Sequence, residues 1–376
     1  MILLCFSHLR WNFVYQRPQH LMSRFNNYYP VYYVEEPAFH DEADSYTIEI
    51  TAEKVKVVVP HLYRFDETNH RQRLKQIIEV FIKEQQIKKF IAWYYSPMAL
   101  LITNHLHPVL TVYDCMDELS AFKFAPSEIK IAEKELLQKA DVVFTGGYSL
   151  YKAKKHLHHN IYPFPSSIDK EHFQKARYIS DEPEDQKNIP HPRLGFYGVM
   201  DERFDIDLIK QVADAKPEWQ FVFIGPVVKI SKDDLPKNLN IHYIGSKNYQ
   251  QLPDYISGWD IALIPFAINE STRYISPTKT PEYLAAGKPV ISSAIRDVVH
   301  PYGDKNLVHI IHSAKEFIKA AEYELSNTSK DEWLKRSDVF LANNSWNETW
   351  HQMQEIINAA FKSKQIQYSK KQENYV

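Results

Sequence analysis

The chain alternates between short, nearly continuous apolar runs and longer amphipathic stretches, and it does so in two series. The apolar runs of the first series are ILLCF, VYYVEE, VKVVVP, KFIAWYY, TVYDCM, DVVFTG and NIYPFP, and those of the second are RLGFYGV, WQFVFIGPV, NIHYIG, DIALIPF, KPVISS and LVHIIH. Such runs are typical of strands buried on both faces of a parallel sheet. The stretches between them, such as RQRLKQIIEVFIKEQQ and DIDLIKQVADA, indicate helices. The rhythm predicts an α/β fold with doubly wound sheets.

A polar, acidic and proline-bearing stretch, ARYISDEPEDQKNIPHPR at residues 176–193, lies between the two series. Because 376 residues are too many for one ordinary core, we interpret this stretch as a linker between two domains. We predict an N-terminal domain over residues 1–178, a C-terminal domain over 179–345, and a final amphipathic helix with a frayed tail over 346–376. Ligands of open α/β sheets bind beyond the carboxyl ends of the strands. Two such domains facing one another would form a cleft with a site on each wall.

Charge and cysteine usage argue against several classes of protein. The formal net charge is -2, whereas nucleic-acid-binding proteins normally have a basic excess. The only cysteines, Cys5 and Cys115, lie inside apolar runs, which predicts buried free thiols in a reducing compartment. The opening MILLCFSHLRW lacks a basic leader, and no apolar stretch approaches the length of a membrane span. We expect a cytoplasmic protein, with peripheral contact at the inner face of the membrane left open.

Glycine is scarce, with 9 residues, and neither a G-x-G-x-x-G loop nor a Walker-type loop is present. If the protein binds phosphate, another element must hold it. The segment YISPTKTPEYLAAGKPVIS, residues 274–292, follows the strand DIALIPF and its loop. It predicts a short helix that begins at Ser276 and Pro277 and ends at Gly287, with Thr280 and Pro281 as an alternative start.

The start of this helix combines groups that suit a nucleotide. Backbone N–H groups around Ser276 and Thr278 and the ammonium group of Lys279 would attract a diphosphate. Glu282 lies one turn further along the same face, where its carboxylate could accept hydrogen bonds from two ribose hydroxyls. The alternative is an ordinary capped helix in which Lys279 and Glu282 form a surface pair.

The same segment resembles the donor-binding signature of GT-B glycosyltransferases, in the broad group that includes the family-four enzymes. WNFVYQRPQHL, VYDCMDELSAF, GFYGVMDERFD and ALIPF are similar to segments of bacterial exopolysaccharide and teichuronic-acid-type enzymes. The resemblance implies two Rossmann-like domains, the first for the acceptor and the second for a nucleotide-sugar donor, with the last helix crossing back to the first domain. Family-four enzymes carry a Glu-x7-Glu pair, of which Glu282 is the second member, while Tyr274 stands in place of the first.

For the donor side, the resemblance implies a basic side chain in the loop GFYGVMDERFD. There Gly198 lies just beyond a strand, and Arg203 would stabilise the leaving diphosphate without a metal ion. The alternative for Arg203 is a surface ion pair with Glu202 or Asp205. The loop GSKNYQQLP would hold the base, with Tyr249 as the candidate side chain.

No metal ion is expected, because basic side chains and backbone amides would hold the diphosphate instead. No cofactor is expected either, since the nucleotide-sugar, with UDP or GDP as the expected nucleotide, is a co-substrate. The histidine-rich stretch HLHHN, residues 156–160, lacks the carboxylate or cysteine that would complete a zinc site.

The first domain carries the candidates for the acceptor side. In TVYDCMDELSAF, we predict that Asp117 accepts the proton of the attacking hydroxyl and that Asp114 caps or braces the loop. Asp117 could instead cap the helix that follows. After the first strand, SHLRWNFVYQRPQHLMSRF carries Trp11, Arg17 and His20, of which the last two share a helix face and could contact acceptor or donor phosphate. His20 could also be a buried histidine.

Three functions fit these residues. The leading hypothesis is a metal-independent, hexosyltransferase-type enzyme that moves a sugar from a nucleoside-diphosphate-sugar to a glycan or glycolipid acceptor in bacterial envelope or exopolysaccharide synthesis. A nucleotide-sugar epimerase on the same fold would need no external acceptor. A non-catalytic nucleotide-sugar-binding subunit would account for the missing first glutamate.

Overall fold

The computed structural model describes residues 1–65 and 68–373 and divides the chain into two compact units. The first unit comprises residues 1–120 and 124–165 together with the last helix, and the second comprises residues 121–123 and 166–345. Each unit has its own sheet and its own hydrophobic core. The predicted α/β class with two Rossmann-like sheets is therefore confirmed.

The sheet of the first unit has the strand order β3-β5-β2-β1-β6-β7-β8-β9, and β4 pairs with β5. All of these pairs are parallel except the antiparallel pair β4 and β5. The strands are β1 (Ile2–Phe6), β2 (Val31–Val34), β3 (Ala38–His40), β4 (Ser45–Ile50), β5 (Lys56–Tyr63), β6 (Phe90–Tyr94), β7 (Leu110–Cys115), β8 (Val142–Thr145) and β9 (Ile161–Pro163). Cys5 and Cys115 are both buried and free, as predicted.

The sheet of the second unit is parallel throughout, with the order β12-β11-β10-β13-β14-β15. Its strands are β10 (Arg193–Tyr197), β11 (Gln220–Ile224), β12 (Ile241–Tyr243), β13 (Ile261–Ile264), β14 (Val290–Ser293) and β15 (His309–Ile311). The chain winds outward in one direction from β10 and in the other direction from β13. The point between these two strands is the switch point, where open α/β sheets bind ligands.

The helices cover the sheets through apolar faces. They are α1 (Arg17–Phe25), α2 (His70–Glu84), α3 (Leu100–Thr103), α4 (Ile129–Lys139), α5 (Tyr148–Lys154), α6 (Lys170–Gln174), α7 (Ile206–Ala215), α8 (Leu252–Ser257), α9 (Lys279–Ala285), α10 (Arg296–Val298), α11 (Ala314–Ser326), α12 (Asp331–Phe340) and α13 (Trp346–Glu373). In α7, Leu208, Ile209 and Val212 are buried at helical spacing, and the Asp205 carboxylate accepts a hydrogen bond from the Leu208 N–H at 2.9 Å.

The units divide at Pro165 and Ser166 rather than near residue 178. The stretch that the sequence suggests as a linker belongs to the second unit, because its polar groups are bonded there. The Gln186 amide is fully buried, donates to the Tyr255 carbonyl at 2.8 Å and accepts from the Trp259 indole N–H at 3.0 Å. The buried Gln186 therefore ties this stretch to the second unit, although many of its other polar side chains are exposed.

The last helix, α13, packs on the first unit. Trp346, Trp350, Met353 and Ile357 belong to the core that also contains Phe25 of α1. This agrees with the expected return of the last helix to the first domain. Among the described residues, no helix combines the length and the apolar character needed to cross a membrane.

Candidate functional site

Two loops meet beyond the carboxyl ends of β10 and β13, at the switch point of the second unit. The Ala267 N–H donates to the Arg203 carbonyl at 2.7 Å, and the Asp205 N–H donates to the Pro265 carbonyl at 2.8 Å. These backbone bonds hold the loop after β10 against the loop after β13. The side chains of both loops are therefore presented from one connected surface.

Gly198 and Lys279 come together at this point although 80 residues lie between them in the chain. Gly198 has a φ of +140°, and a Cβ atom placed on it would collide with the side chain of Lys279. The Lys279 ammonium nitrogen lies 5.7 Å from the ring centroid of Tyr197 and 5.9 Å from that of Phe196. The positive charge is thus held over the end of β10 in space that a side chain at position 198 would fill.

Glu282 is buried rather than part of a surface pair. Its carboxylate accepts a hydrogen bond from the Tyr197 hydroxyl and is also hydrogen-bonded by the Thr278 side chain. Burial raises the pKa of Glu282 to about 7, against the opposing effects of the Tyr197 hydrogen bond and the Lys279 charge. The alternative of an exposed Lys–Glu pair is therefore ruled out for this helix.

The helix itself begins later than the sequence suggests. It starts at Lys279 after Thr278, whose backbone is already helical and whose side chain makes no capping bond, so neither Ser276 nor Thr280 is the cap. The Ser276 carbonyl instead accepts a hydrogen bond from the Ser166 hydroxyl at 2.8 Å. With 7 residues, the helix is short, and the ammonium group of Lys279 is the main positive charge at its start.

The predicted end of this helix is confirmed at Gly287, which has a φ of +74°. The Gly287 N–H donates to the Leu284 carbonyl and the Lys288 N–H to the Tyr283 carbonyl, both at 3.0 Å. These two bonds close the helix in the Schellman arrangement.

Arg203 is anchored by a partner that the sequence did not suggest. Its guanidinium group donates to both carboxylate oxygens of Asp201, with a shortest distance of 2.7 Å, and lies 5.2 Å from the ring centroid of Phe122. Asp205 instead caps α7, and Glu202 pairs with Lys229. Asp201 is therefore the carboxylate that holds Arg203, while the contact of Arg203 with a diphosphate stays a prediction.

Tyr249 lies in an aromatic group next to the Glu282 site. Its ring stacks on His172 with 4.4 Å between centroids, and the His172 Nε2 lies 3.0 Å from the Tyr249 carbonyl oxygen. Phe173 packs against both Tyr249 and Tyr197. The aromatic group therefore connects the predicted base-binding loop to the hydroxyl that holds Glu282.

In the first unit, Arg17 and Asp114 form a buried ion pair. Arg17 donates to both oxygens of Asp114 at 2.8 to 3.1 Å, and its Nη1 donates to the Phe164 carbonyl at 2.7 Å. Burial raises the pKa of Asp114, and the charge of Arg17 opposes that rise. The bracing role of Asp114 fits this geometry. Arg17 cannot face a ligand as predicted, because its side chain is committed to the interior.

Trp11 and His20 are also interior residues. Trp11 packs edge-on against Tyr33 with 5.0 Å between centroids, and its backbone N–H donates to Glu35 at 2.7 Å. His20 is buried and stacks on Trp346 with 4.7 Å between centroids. The predicted acceptor contacts of Trp11 and His20 are therefore corrected, because both side chains are buried inside the first unit, Trp11 against Tyr33 and His20 against Trp346 of α13.

Asp117 is half-buried just after β7. A short 3-10 turn, Leu119–Ala121, follows it. Its role as a base stays a prediction. Its neighbour Glu118 pairs with Lys154 at 2.8 Å, and Lys154 also pairs with Glu133 at 2.8 Å. The loop that carries Asp117 is thus tied to α4 and α5 through a buried ammonium group.

The histidine-rich stretch, residues 156–160, lies just after the end of α5. His158 Nε2 lies 3.0 Å from the Ala140 carbonyl oxygen, and its ring stacks on that of His159. No group of three or more His, Cys, Asp or Glu residues arranged for a metal ion occurs within residues 1–65 and 68–373.

Known proteins match both the sequence and the structure of this chain. A model of the family described as Glycosyl transferase-like matches residues 204–355. A Bacillus subtilis (strain 168) protein provisionally named teichuronic acid biosynthesis glycosyltransferase TuaH is 25% identical over 251 residues, which are 61% of this chain and 62% of that protein. The match thus spans less than two thirds of that relative.

Solved structures match along almost the whole length. Sucrose-phosphate synthase from Thermosynechococcus elongatus has a TM-score of 0.72 at 13% identity, with 96% of this chain and 99% of that chain covered. Anabaena Alr3699/HepE, in complex with UDP and glucose, has a TM-score of 0.70 at 12% identity, with 95% of this chain and 99% of that chain covered. The chain has the GT-B fold.

Three residues of this GT-B chain were missed by the sequence analysis. Tyr197 binds Glu282, His172 supports Tyr249, and Lys154 anchors the Asp117 loop. For Tyr197, a signal was available, since it is the last residue of a strand and precedes a glycine. For His172 and Lys154, no local pattern indicates partners that lie on distant elements.

Proposed function

We propose that this protein is a glycosyltransferase that moves a sugar from a nucleoside-diphosphate-sugar to a glycan or glycolipid acceptor in bacterial envelope or exopolysaccharide synthesis. The observation that carries the proposal is the meeting of Lys279, the side-chain-free position Gly198 and the buried Glu282 at the switch point of a parallel sheet. The name of the Bacillus relative supports the envelope role, and the UDP bound by the Anabaena neighbour supports the donor class.

The donor would lie across the ends of β10 and β13. Lys279 and Arg203 would neutralise the diphosphate, Glu282 would accept hydrogen bonds from the ribose, and Tyr249 would lie beside a uracil or guanine base. Gly198 would leave room for the Lys279 side chain beside the diphosphate, with Ser276 and Thr278 on the neighbouring loop. We propose a hexosyl donor and a reaction without a metal ion or cofactor.

In the transfer step, the bond between the anomeric carbon and the diphosphate oxygen breaks, and its electron pair leaves with the diphosphate. The acceptor oxygen forms the new bond to the anomeric carbon and releases its proton to Asp117. The positive charges of Lys279 and Arg203 stabilise the leaving group. We place this reaction in the cytoplasm, with peripheral contact at the inner face of the membrane. Recovery of the protein elsewhere on cell fractionation would contradict that location.

The test measures UDP and GDP binding by isothermal titration. We expect Lys279→Ala to weaken binding of the preferred nucleotide at least tenfold, because a full charge is lost from the diphosphate site. Lys210→Ala, an exposed lysine on α7, is the matched control and should bind as the wild type does. Asp117→Asn should keep nucleotide affinity and lose diphosphate release from the donor. Unchanged affinity in Lys279→Ala would refute the proposed donor site.

Two other functions are separated by these assays together with incubation of a nucleotide-sugar in the absence of an acceptor. Tyr274, in place of the first glutamate, favours a non-catalytic nucleotide-sugar-binding subunit. That subunit would bind nucleotide but release no diphosphate with any donor and acceptor. An epimerase would interconvert nucleotide-sugars in the absence of an acceptor.

A further inference from the structure

The hydroxyl group of Tyr197 meets the carboxylate of Glu282 inside the second unit. Tyr197 is the last residue of β10, and its hydroxyl donates a hydrogen bond to Glu282 of α9. Tyr283 of the same helix fixes the position of Tyr197. The backbone N–H of Tyr197 donates to the Tyr283 hydroxyl at 3.1 Å, and the two rings pack edge-on with 5.3 Å between their centroids. The Tyr197 hydroxyl is therefore held against one oxygen of the carboxylate.

The hydrogen bonds that Glu282 receives from the protein leave capacity for a ligand. An ionised carboxylate can accept about four hydrogen bonds, whereas a protonated one presents an O–H group that donates. The Tyr197 hydroxyl and the Thr278 side chain use two of these positions. The other positions suit the two hydroxyl groups of a ribose, each of which donates one hydrogen bond. This pairing requires the ionised carboxylate, because the protonated group offers fewer acceptors.

Opposing effects determine whether Glu282 is ionised. Burial favours the neutral form and raises the pKa of Glu282 to about 7. The Tyr197 hydrogen bond, the charge of Lys279 and the Thr278 hydrogen bond favour the ionised form. Loss of the Tyr197 hydroxyl would therefore shift Glu282 further towards the neutral form near pH 7.

Other titratable groups around α9 have partners of their own. Tyr283, which also interacts with Glu282, accepts a backbone N–H. On the helices packed against α9, His172 of α6 lies 3.0 Å from a backbone carbonyl oxygen, and Asp338 of α12 pairs with Arg177 at 2.7 Å. None of these contacts uses the hydroxyl on β10, so removal of that hydroxyl changes the surroundings of Glu282 and leaves these pairings in place.

We propose that Tyr197 is a positioning residue for donor binding, whose hydroxyl holds the Glu282 carboxylate in place and ionised so that it accepts hydrogen bonds from the ribose. Tyr197 acts through Glu282. The inference rests on the proposed nucleotide-sugar site and adds to it a residue that the donor-binding segment does not contain. A role in packing alone would depend on the Tyr197 ring and not on its hydroxyl.

The test compares a nucleotide with its 2′,3′-dideoxy counterpart, because only the first offers ribose hydroxyls. Isothermal titration of the full chain from pH 6 to pH 9 uses UDP and 2′,3′-dideoxy-UDP, or the GDP pair if the protein prefers GDP. The ratio of the two affinities at each pH, the ribose ratio, cancels the titration of the diphosphate. In the wild type we expect a ribose ratio of about tenfold at pH 8. The ratio should fall as pH drops below the pKa of Glu282, about 7.

Tyr197→Phe keeps the ring and removes the hydroxyl. We expect it to lower the ribose ratio about threefold at pH 7 and to move the midpoint of the pH profile upward by about one pH unit, because the ionised carboxylate loses a donor. The affinity for the dideoxy nucleotide should not change, which also reports that the variant is folded. Tyr323→Phe, at an exposed position of α11, is the matched control and should keep the ratio of the wild type.

A second pair of variants shows whether Tyr197 acts through Glu282. Glutamine does not titrate, so the ribose ratio of Glu282→Gln should not change with pH, and adding Tyr197→Phe to this variant should have no further effect. The proposal would be overturned by a ribose ratio in Tyr197→Phe equal to that of the wild type at every pH. An equal effect of Tyr197→Phe in both backgrounds, or an equal loss of affinity for the dideoxy nucleotide, would also overturn it. A wild type that binds neither UDP nor GDP would instead refute the proposed donor site itself.

Discussion

At the scale of single residues, Glu282 shows how tertiary burial changes a carboxyl group. It accepts a hydrogen bond from Tyr197 and lies near the positive charge of Lys279, and both effects favour the ionised form. Burial outweighs them, and the pKa of Glu282 rises from 4.5 to about 7. A residue that is ionised in the unfolded chain at pH 6 is therefore largely protonated in the folded protein.

This shift predicts a pH-dependent effect of Glu282→Gln. Below pH 4.5 the Glu282 carboxyl group is protonated in both the folded and the unfolded protein. Between pH 4.5 and about 7 it stays protonated only in the folded protein, so the unfolding free energy of the wild type falls as pH rises through that range. The rise in the pKa of Glu282 from 4.5 to about 7 corresponds to about 3 kcal/mol. Glutamine does not titrate, so the unfolding free energy of the variant relative to the wild type should rise by up to that amount between pH 5 and pH 8.

Urea unfolding at pH 5 and pH 8 provides the measurement. The comparison of variant with wild type at each pH cancels the titration of other groups. Glu184→Gln, which removes an exposed carboxylate, is the matched control and should not reproduce the change. A variant whose relative stability is the same at both pH values would show that Glu282 is not held in a strongly desolvated state.

At the scale of elements, the turn after β10 and the start of α9 act as one structural feature. Gly198 has a φ of +140°, and its missing side chain leaves the space that Lys279 occupies. Position 198 therefore needs glycine for two reasons, because its backbone has a positive φ and because the Lys279 side chain fills the space of a Cβ atom.

We predict that Gly198→Ala weakens binding of the preferred nucleotide, UDP or GDP, at least tenfold, because the new methyl group displaces the ammonium group of Lys279. Gly287→Ala is the matched control, since Gly287 also has a positive φ, of +74°. A Cβ atom added at Gly287 would lie near Arg177 and Leu334 and not near Lys279. That control should cost about 1 kcal/mol of stability through backbone strain and leave the affinity for UDP unchanged. Isothermal titration and urea unfolding measure the two effects. Normal affinity of Gly198→Ala for that nucleotide would contradict the predicted placement of the diphosphate.

At the scale of the whole molecule, the chain returns to its first unit through α13. Trp346 is buried among residues of that unit and stacks on His20. The second unit has a core of its own, and no α13 side chain among the described residues belongs to it. The stability of the first unit therefore depends on a segment at the far end of the sequence.

Trp346→Ala should destabilise the first unit by about 3–5 kcal/mol, because a large buried ring is replaced by a cavity. Hydrogen exchange measured by mass spectrometry should show faster exchange in the strands of the first unit and little change in those of the second. Ile366→Ala, at an exposed position on the same helix, is the control and should alter stability by less than about 0.5 kcal/mol. Equal acceleration in both units would show that they unfold together.

Much of the architecture was predictable from the sequence, because it depends on local composition. Every predicted strand is present, since strands buried on both faces require unbroken apolar runs that are visible in any short window. Two strands were missed, β3 and β4, because they lie at the edge of the first sheet and are largely exposed. Gly287 was also predictable, since a left-handed residue after a helix favours glycine.

The sequence by itself therefore determined the class of each element, the presence of two α/β sheets and the candidate donor segment. Only the tertiary structure decided which polar residues meet. Arg17 binds Asp114 across 97 residues, and Tyr197 binds Glu282 across 85. The physical reason is that helices and strands follow from interactions between near neighbours, whereas burial and pairing depend on which surfaces pack together. Because of this packing, Arg17, Trp11 and His20 lie in the interior of the first unit. Glu282 is buried in the second unit, and its pKa is raised.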